Sequence, residues 1–233
     1  MQFMSNCTYS LSLPQVCPEM AARVEAVFEK HAETVEASVK HIVADTADST
    51  AYVYYLKSGK TSHFLTNGTD SKLLYQMTAG NVFGNVLPEG MDCVATIVKV
   101  AEKAVILRMT RESYLSLLAA DSQFAMDMFK LNAMSGVHMA NEIANLSFNS
   151  CKTRLMKIYC SQADTSSPVD DGKWYPVRSK LTHDELADIV GSARVTISKL
   201  INELCNDGFI RTINRRAQVN VEAYNAFIAG EGK

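Results

Sequence analysis

Apolar residues change their spacing along the chain, and each change marks a different kind of element. Residues 18–34, PEMAARVEAVFEKHAET, place Met20, Val24, Val27 and Phe28 at helical spacing behind Pro18. Proline suits a first helical turn, so this stretch predicts a short amphipathic helix. From 50 to 110 the helical period gives way to short β-rich runs: YVYYLKSG, TSHFLTNG, KLLYQMTAG, VATIVKV and AVILRM. Gly59, Gly68, Gly80, Gly84 and Gly90 read as turns in this zone, and Asn67-Gly68 is a hairpin signal. Short strands at regular spacing predict a small barrel or roll.

Residues 111–147 hold no proline and a single glycine. Phe124, Met128, Leu131, Met134 and His138, together with Phe129, Val137, Ala140 and Ile143, put apolar positions on more than one face. A long helix that is apolar on two sides needs two partners. Two arrangements supply them: the roll on one side with a symmetry-related copy of the helix on the other, or a single globular core around the helix. Residues 164–176, DTSSPVDDGKWYP, form a polar loop.

The segment that follows, LTHDELADIVGSARVTISKLINELCNDGFI, carries the most information. Thr182 and Glu185 have capping-box spacing and open a helix with Leu186, Ile189 and Val190 on its buried face. Gly191 ends that helix, and Ser192 is placed to N-cap a second one. Ile197, Leu200, Ile201 and Leu204 share one face of the second helix. At about 100° per residue, Val195, Ser198, Lys199 and Asn202 fall on the other. Helix, glycine turn and helix with a bare polar face make a helix-turn-helix for DNA. FIRTIN and QVNV then alternate like strands joined by Arg215-Arg216, a basic wing for phosphates.

Charge adds little. Of 23 Lys+Arg and 25 Asp+Glu, the part from residue 150 onward holds 12 and 10, a surplus of two positive charges. No Lys or Arg precedes Arg23 and no apolar run approaches the ~20 residues of a membrane helix, so a cytoplasmic protein without membrane contact is expected. Cys7, Cys17, Cys93, Cys151, Cys160 and Cys205 include no C-x-x-C pair and read as reduced thiols. His31, His41, His63, His138 and His183 are scattered with no H-x-H pair, so a metal enzyme on a cupin-like roll is not expected. No cofactor is expected either.

Residues 182–204, TxxELAxIVGxxRxTISKLIxEL, resemble the helix-turn-helix of the Crp/Fnr family. The order YVYYLKSGKTSHFL…KLLYQMTAGNVFGNV is similar to that family's cyclic-nucleotide-type β-roll, so the resemblance covers roughly residues 50–225. It implies an α+β chain in three parts: an effector-sensing roll with an N-terminal helix over 1–110, a dimerisation helix over 111–149 and a winged helix-turn-helix over 150–233. It further implies a homodimeric transcription regulator, not an enzyme, that binds an inverted-repeat operator in double-stranded DNA. RNA polymerase is a further partner by the same token, although no surface loop carries a signature for it.

Carried over by position, Arg194, Val195, Ser198 and Lys199 face base edges and nearby phosphates, and Thr196 meets a phosphate. Thr182 and Ser192, at the helix starts, and Arg215 and Arg216 complete the interface. Val195 stands where many members have a glutamate that accepts from cytosine; valine instead suits a thymine methyl.

Cyclic-AMP-binding members hold the ribose and phosphate with Gly-Glu-Leu and Arg-Ser-Ala segments. Here Gly84-Asn85-Val86 and Cys93-Val94-Ala95 lack both the glutamate and the arginine, so cyclic nucleotides are not expected to bind well. SKLLYQMTAGNVFGNVLPEGMDCVATI is similar to the halorespiration branch of the family, which senses chlorinated phenols. That similarity implies a small aromatic effector between roll and dimer helix. Tyr75, Asn85, Val86, Leu87, Met91 and Val94 line one side, and Met128, Leu131, Asn132 and Ser135 the other. Asn132 and Ser135 replace the branch's phenol-binding tyrosine and lysine, so a chlorinated phenol itself is not implied. Two alternatives stay open on the same scaffold: haem ligation through His63, and a thiol switch at Cys205. Cys7 and Cys17 alone are too few for an iron–sulfur cluster.

Overall fold

Residues 53–56, Val-Tyr-Tyr-Leu, lie in a strand whose two faces both meet apolar partners, which is why their sequence shows no alternation. A computed structural model describes residues 12–45, 51–67, 71–84 and 95–230. They divide into two compact units, Ser12–Ile143 and the chain from Ala144 onward, and each is taken by itself below.

The first unit begins with helix α1 (Pro18–His31) and strands β1 (Glu33–Ala37) and β2 (Ile42–Asp45). Long strands β3 (Tyr52–Thr66) and β6 (Thr96–Thr110) flank β4 (Ser71–Thr78) and β5 (Val82–Phe83) in the chain. These strands pair antiparallel, in the order β1-β6-β3-β4, with β2 also on β6 and β5 also on β3. Tyr54, Leu56, Met77, Val100 and Ile106 fill the interior of this roll. Val53, Tyr55, Leu107 and Met109 point the other way, into a second core with Val24 and Phe28 of α1 and Phe124, Met128 and Leu131 of α3 (Ser122–Phe148).

Three sequence expectations change here. YVYYLKSG and TSHFLTNG form one strand, not two, because Gly59 marks a bulge rather than a turn: the β3–β6 register shifts on both sides of it. VATIVKV and AVILRM likewise join, as β6. The hairpin expected at Asn67-Gly68 has its strands in place, with Thr66 opposite Ser71, while Gly68 lies outside the described residues. The long helix of 111–147 is two helices, α2 (Arg111–Ala120) and α3, because Asp121 caps the second by accepting from the amides of Gln123 (2.9 Å) and Phe124 (3.0 Å).

α3 has a buried face and an exposed one. Phe124, Asp127, Met128, Leu131 and His138 are buried, whereas Phe129 is 69% and Ile143 65% exposed, with Met126 and Val137 on the same side. Arg23 forks onto Asp127 through Nε and Nη2, both at 2.9 Å, and so ties α1 to α3. The Arg23 bond holds the Asp127 carboxyl below its ordinary range.

His63, on β3, is wholly enclosed; burial lowers its pKa to about 3, and His138 is lowered for the same reason. These groups fold neutral, so the unfolded chain binds more protons below about pH 6.5, and stability falls as pH drops through that value. His63 alone accounts for about 2 kcal/mol at pH 5. Urea midpoints at pH 7.5 and 5.0 are expected to differ accordingly, and His63→Phe should flatten the dependence. An unchanged slope in that variant would show that His63 is not the group responsible. Asp127 adds its own loss as pH falls below about 4.

The second unit holds α4 (Cys151–Gln162), β7 (Trp174–Pro176), α5 (His183–Val190), α6 (Arg194–Asn206), β8 (Ile210–Ile213), β9 (Arg216–Asn220) and α7 (Val221–Ala229). Leu155, Ile158, Leu186, Ile197, Leu204, Val219 and Phe227 are buried in it. The polar loop expected over 164–176 ends in a strand, since residues 174–176 pair with β9 to give a three-stranded sheet β7-β9-β8. Among the described residues, no helix is long and apolar enough to cross a membrane.

Candidate nucleic-acid interface

α5 begins at a complete capping box. The Thr182 hydroxyl accepts from the Glu185 amide (3.2 Å), and the Glu185 carboxylate accepts from the Thr182 amide (2.7 Å) and hydroxyl (2.9 Å). Gly191 ends the helix with φ 68°, a left-handed geometry in which glycine carries no steric cost. α6 then starts one residue later than the sequence implied. Its N-cap is Ala193, with no side-chain cap bond, because the Ser192 amide still closes α5 by donating to the Ala187 carbonyl (3.1 Å).

Ile197 and Leu204 seat α6 on the core, and the opposite face is bare: Val195 is 66% exposed, and Lys199 and Asn202 are exposed. Thr196 and Ser198 are half-buried. Arg194 meets Asp184 at 3.3 Å, but both side chains are largely in solvent, where such a pair is worth little and yields easily to a stronger anion. Ser198 is held from two sides, by the Arg194 carbonyl at 3.1 Å and His183 Nδ1 at 2.9 Å.

The wing turn is Asn214-Arg215, with φ 51° and 61°, the pattern of a two-residue type I′ hairpin. Arg216 is therefore not a turn residue: it is the first residue of β9, opposite Ile213, though it and Arg215 are both exposed. Arg215 and Lys180, a cation the sequence reading missed, line a cleft with Tyr159 and Gln162. Arg211 serves the fold, bonding Gln218 and Asp170 (2.8 Å each) while lying over the Trp174 ring.

Behind the interface, the guanidinium of Arg154 is buried. It donates to the carbonyls of Val190 (3.0 Å), Asn149 (2.8 Å) and, at the limit, Leu146 (3.5 Å), with Cys151 Sγ at 3.2 Å. The one hint in the sequence was an arginine on the apolar face of α4, beside Leu155 and Ile158.

The expected effector residues do not all converge. Tyr75 stacks on His63 (4.7 Å between centroids) and meets His138 edge-on (5.7 Å), and Phe83 abuts His63 (5.2 Å). His138 Nε2 is buried, with no hydrogen-bond partner among the described residues. Met128 and Leu131 belong instead to the core beneath α1. The Ser135 hydroxyl is used locally, donating to the Leu131 carbonyl at 3.1 Å. Asn132 is exposed, about 100° around the helix from Leu131. Asn85, Val86, Leu87, Met91 and Val94 lie outside the described residues. Burial raises the Cys205 pKa, which is the reverse of an activated thiolate. Among the described residues no three His, Cys, Asp or Glu side chains gather to hold a metal.

Comparison with known proteins agrees with this geometry. Residues 154–226 match the Crp-like helix-turn-helix domain. The chain is 26% identical over 162 residues to the cyclic AMP receptor protein of Thermus thermophilus, covering 68% of this chain and 70% of that one. It shares the fold of a Crp/Fnr-family regulator from Eubacterium rectale, with TM-score 0.69 and 14% identity over 89% of this chain and 94% of the other. It also shares that of a CooA variant from Carboxydothermus hydrogenoformans, with TM-score 0.66 and 19% identity over 87% and 90%. The chain thus carries a Crp-like helix-turn-helix domain over residues 154–226, its second helix bare on one face, and shares the fold of these regulators, a roll ahead of that domain.

Proposed function

We propose that the protein acts as a homodimer whose affinity for an inverted-repeat operator is set by a small effector, aromatic rather than a cyclic nucleotide, bound between roll and α3. The observation that carries this reading is the exposed face of α6. Val195, Ser198 and Lys199 meet base edges there, Arg194 meets bases or phosphates, and Thr196 and the uncapped helix start meet phosphates. Thr182, Ser192, Arg215 and Arg216 grip the backbone on either side.

Two further features support the rest. The apolar strip Met126–Phe129–Val137–Ile143 is what a second α3 would cover. Effector binding then favours the dimer state whose two recognition helices match half-sites about 34 Å apart. His63 and His138 are both kept neutral by burial, so neither offers a cation to a phosphate, while His138 Nε2, unpartnered among the described residues, invites a neutral polar atom. Resemblance to the chlorophenol-sensing branch points the same way.

The test is selection of duplexes from a random pool by the purified protein, with and without phenols and small aromatic acids, alongside its mass in solution. An inverted repeat enriched by one compound, from a dimer, is the expected result. A monomer that enriches nothing would overturn the reading. Lys199→Ala should cost about 1–3 kcal/mol and relax one base position, whereas Arg215→Ala should weaken all duplexes alike and lower the salt slope by about one.

A further inference from the structure

We infer that His183 sets the base preference of Ser198, by committing the serine to accept hydrogen bonds from DNA and never to donate. The inference rests on the reading that places α6 in the major groove. A serine hydroxyl carries one hydrogen and two acceptor lone pairs. Ser198 Oγ lies 3.1 Å from the Arg194 carbonyl oxygen, which can only accept. It also lies 2.9 Å from His183 Nδ1, across the gap between α5 and α6.

One arrangement satisfies both contacts. The hydroxyl donates back along the helix to the Arg194 carbonyl, and His183 donates its Nδ1 hydrogen to Oγ. Turning the serine hydrogen toward His183 instead would set two oxygen lone pairs against each other at 3.1 Å. Either way the single hydrogen points into the protein. What remains for the groove is one lone pair on a half-buried oxygen.

In the major groove a lone pair distinguishes amino bases from keto bases. Adenine N6 and cytosine N4 donate, whereas guanine O6 and thymine O4 accept. Ser198 therefore selects adenine or cytosine on the strand it touches. Val195, one turn earlier on the same face, has no polar side-chain atom with which to blur that choice. The Nδ1–H bond also holds the serine side chain in place; without His183 it can rotate about χ1, carry Oγ clear of the Arg194 carbonyl and donate its hydrogen to a keto base.

Duplex selection with four proteins tests this: the wild-type chain, Ser198→Ala, His183→Ala and His183→Asn. The position at which Ser198→Ala loses its preference is the serine's position. The wild type should favour adenine or cytosine there by roughly fivefold, the worth of one neutral hydrogen bond. His183→Ala should admit guanine and thymine at that position alone, and His183→Asn, whose amide nitrogen can donate from a similar place, should restore the preference. A wild-type preference for a keto base, no position that responds to Ser198→Ala, or unchanged bases in His183→Ala would each overturn the assignment. Uniformly weaker binding of His183→Ala with the same bases would make His183 a phosphate contact only, and equally overturn it. A wild-type chain that enriches no duplex removes the groove reading itself, and this inference with it.

Discussion

Gly59→Ala is expected to unfold the roll about 10 °C below the wild type. Gly59 has φ +86°, and a Cβ added there would lie 2.2 Å from the Lys103 carbonyl oxygen and 2.7 Å from the Ala104 Cα. Both are backbone atoms of β6, held by pairing on either side, Ser58 with Val105 and Lys60 with Glu102. The neighbour cannot rotate away, so the two longest strands of the sheet must part. Backbone strain of ~1–3 kcal/mol adds to that separation, for a total of about 3–5 kcal/mol. In a unit of this size each kcal/mol moves the midpoint by about 2–4 °C. Gly172 separates the two contributions: its φ is +80°, but a Cβ there would meet nothing within 4 Å. Gly172→Ala should therefore lose only the strain term in its own unit. Equal shifts for the two variants by calorimetry would mean that β3 and β6 do not cross closely at Gly59.

That glycine also shows where the sequence was legible and where it was not. A glycine among β-rich residues announces a break in regular backbone, but a turn and a bulge both need one, and only the partner strand decides between them. The helix-turn-helix was readable because its signals are local: Thr182 and Glu185 three apart, Gly191 at the helix end, apolar spacing through Ile197 and Leu204. Even there the start of α6 slipped by a residue, since Ser192 is a good cap by type but its amide is engaged in closing α5. Strands β1 and β2 left no mark, because they lie along β6 with mostly exposed side chains and little apolar pattern of their own. The aromatic group beneath the roll was half found. Tyr75 was named, but His63 and His138 reach it from residues 12 and 63 positions away in the chain, and a lone histidine on an apolar helix face gives no hint of what it meets.

Arg154 was missed for the same reason, and its replacement carries the other large expected effect. Arg154→Met keeps the stem that packs in α4 but removes the guanidinium, leaving the buried Val190 carbonyl and the half-buried Asn149 carbonyl without this donor. Bonds from a charged donor are worth about 1.5–3 kcal/mol each, so a loss of at least ~3 kcal/mol is expected for the second unit. The consequence for DNA is larger than for the fold. Val190 is the last residue of α5, directly before the Gly191 turn that aims α6, while Leu146 and Asn149 lie at and just after the last turn of α3. One flat, five-donor group thus fixes the entry to the recognition helix against the end of α3, which a single ammonium cannot span. Arg154→Lys should therefore recover part of the thermal stability yet little of the duplex affinity. If Arg154→Lys binds duplex like the wild type, the charge alone suffices and the fork is not what orients α6. If both variants bind normally after a drop in melting temperature, Arg154 serves only to stabilise the unit.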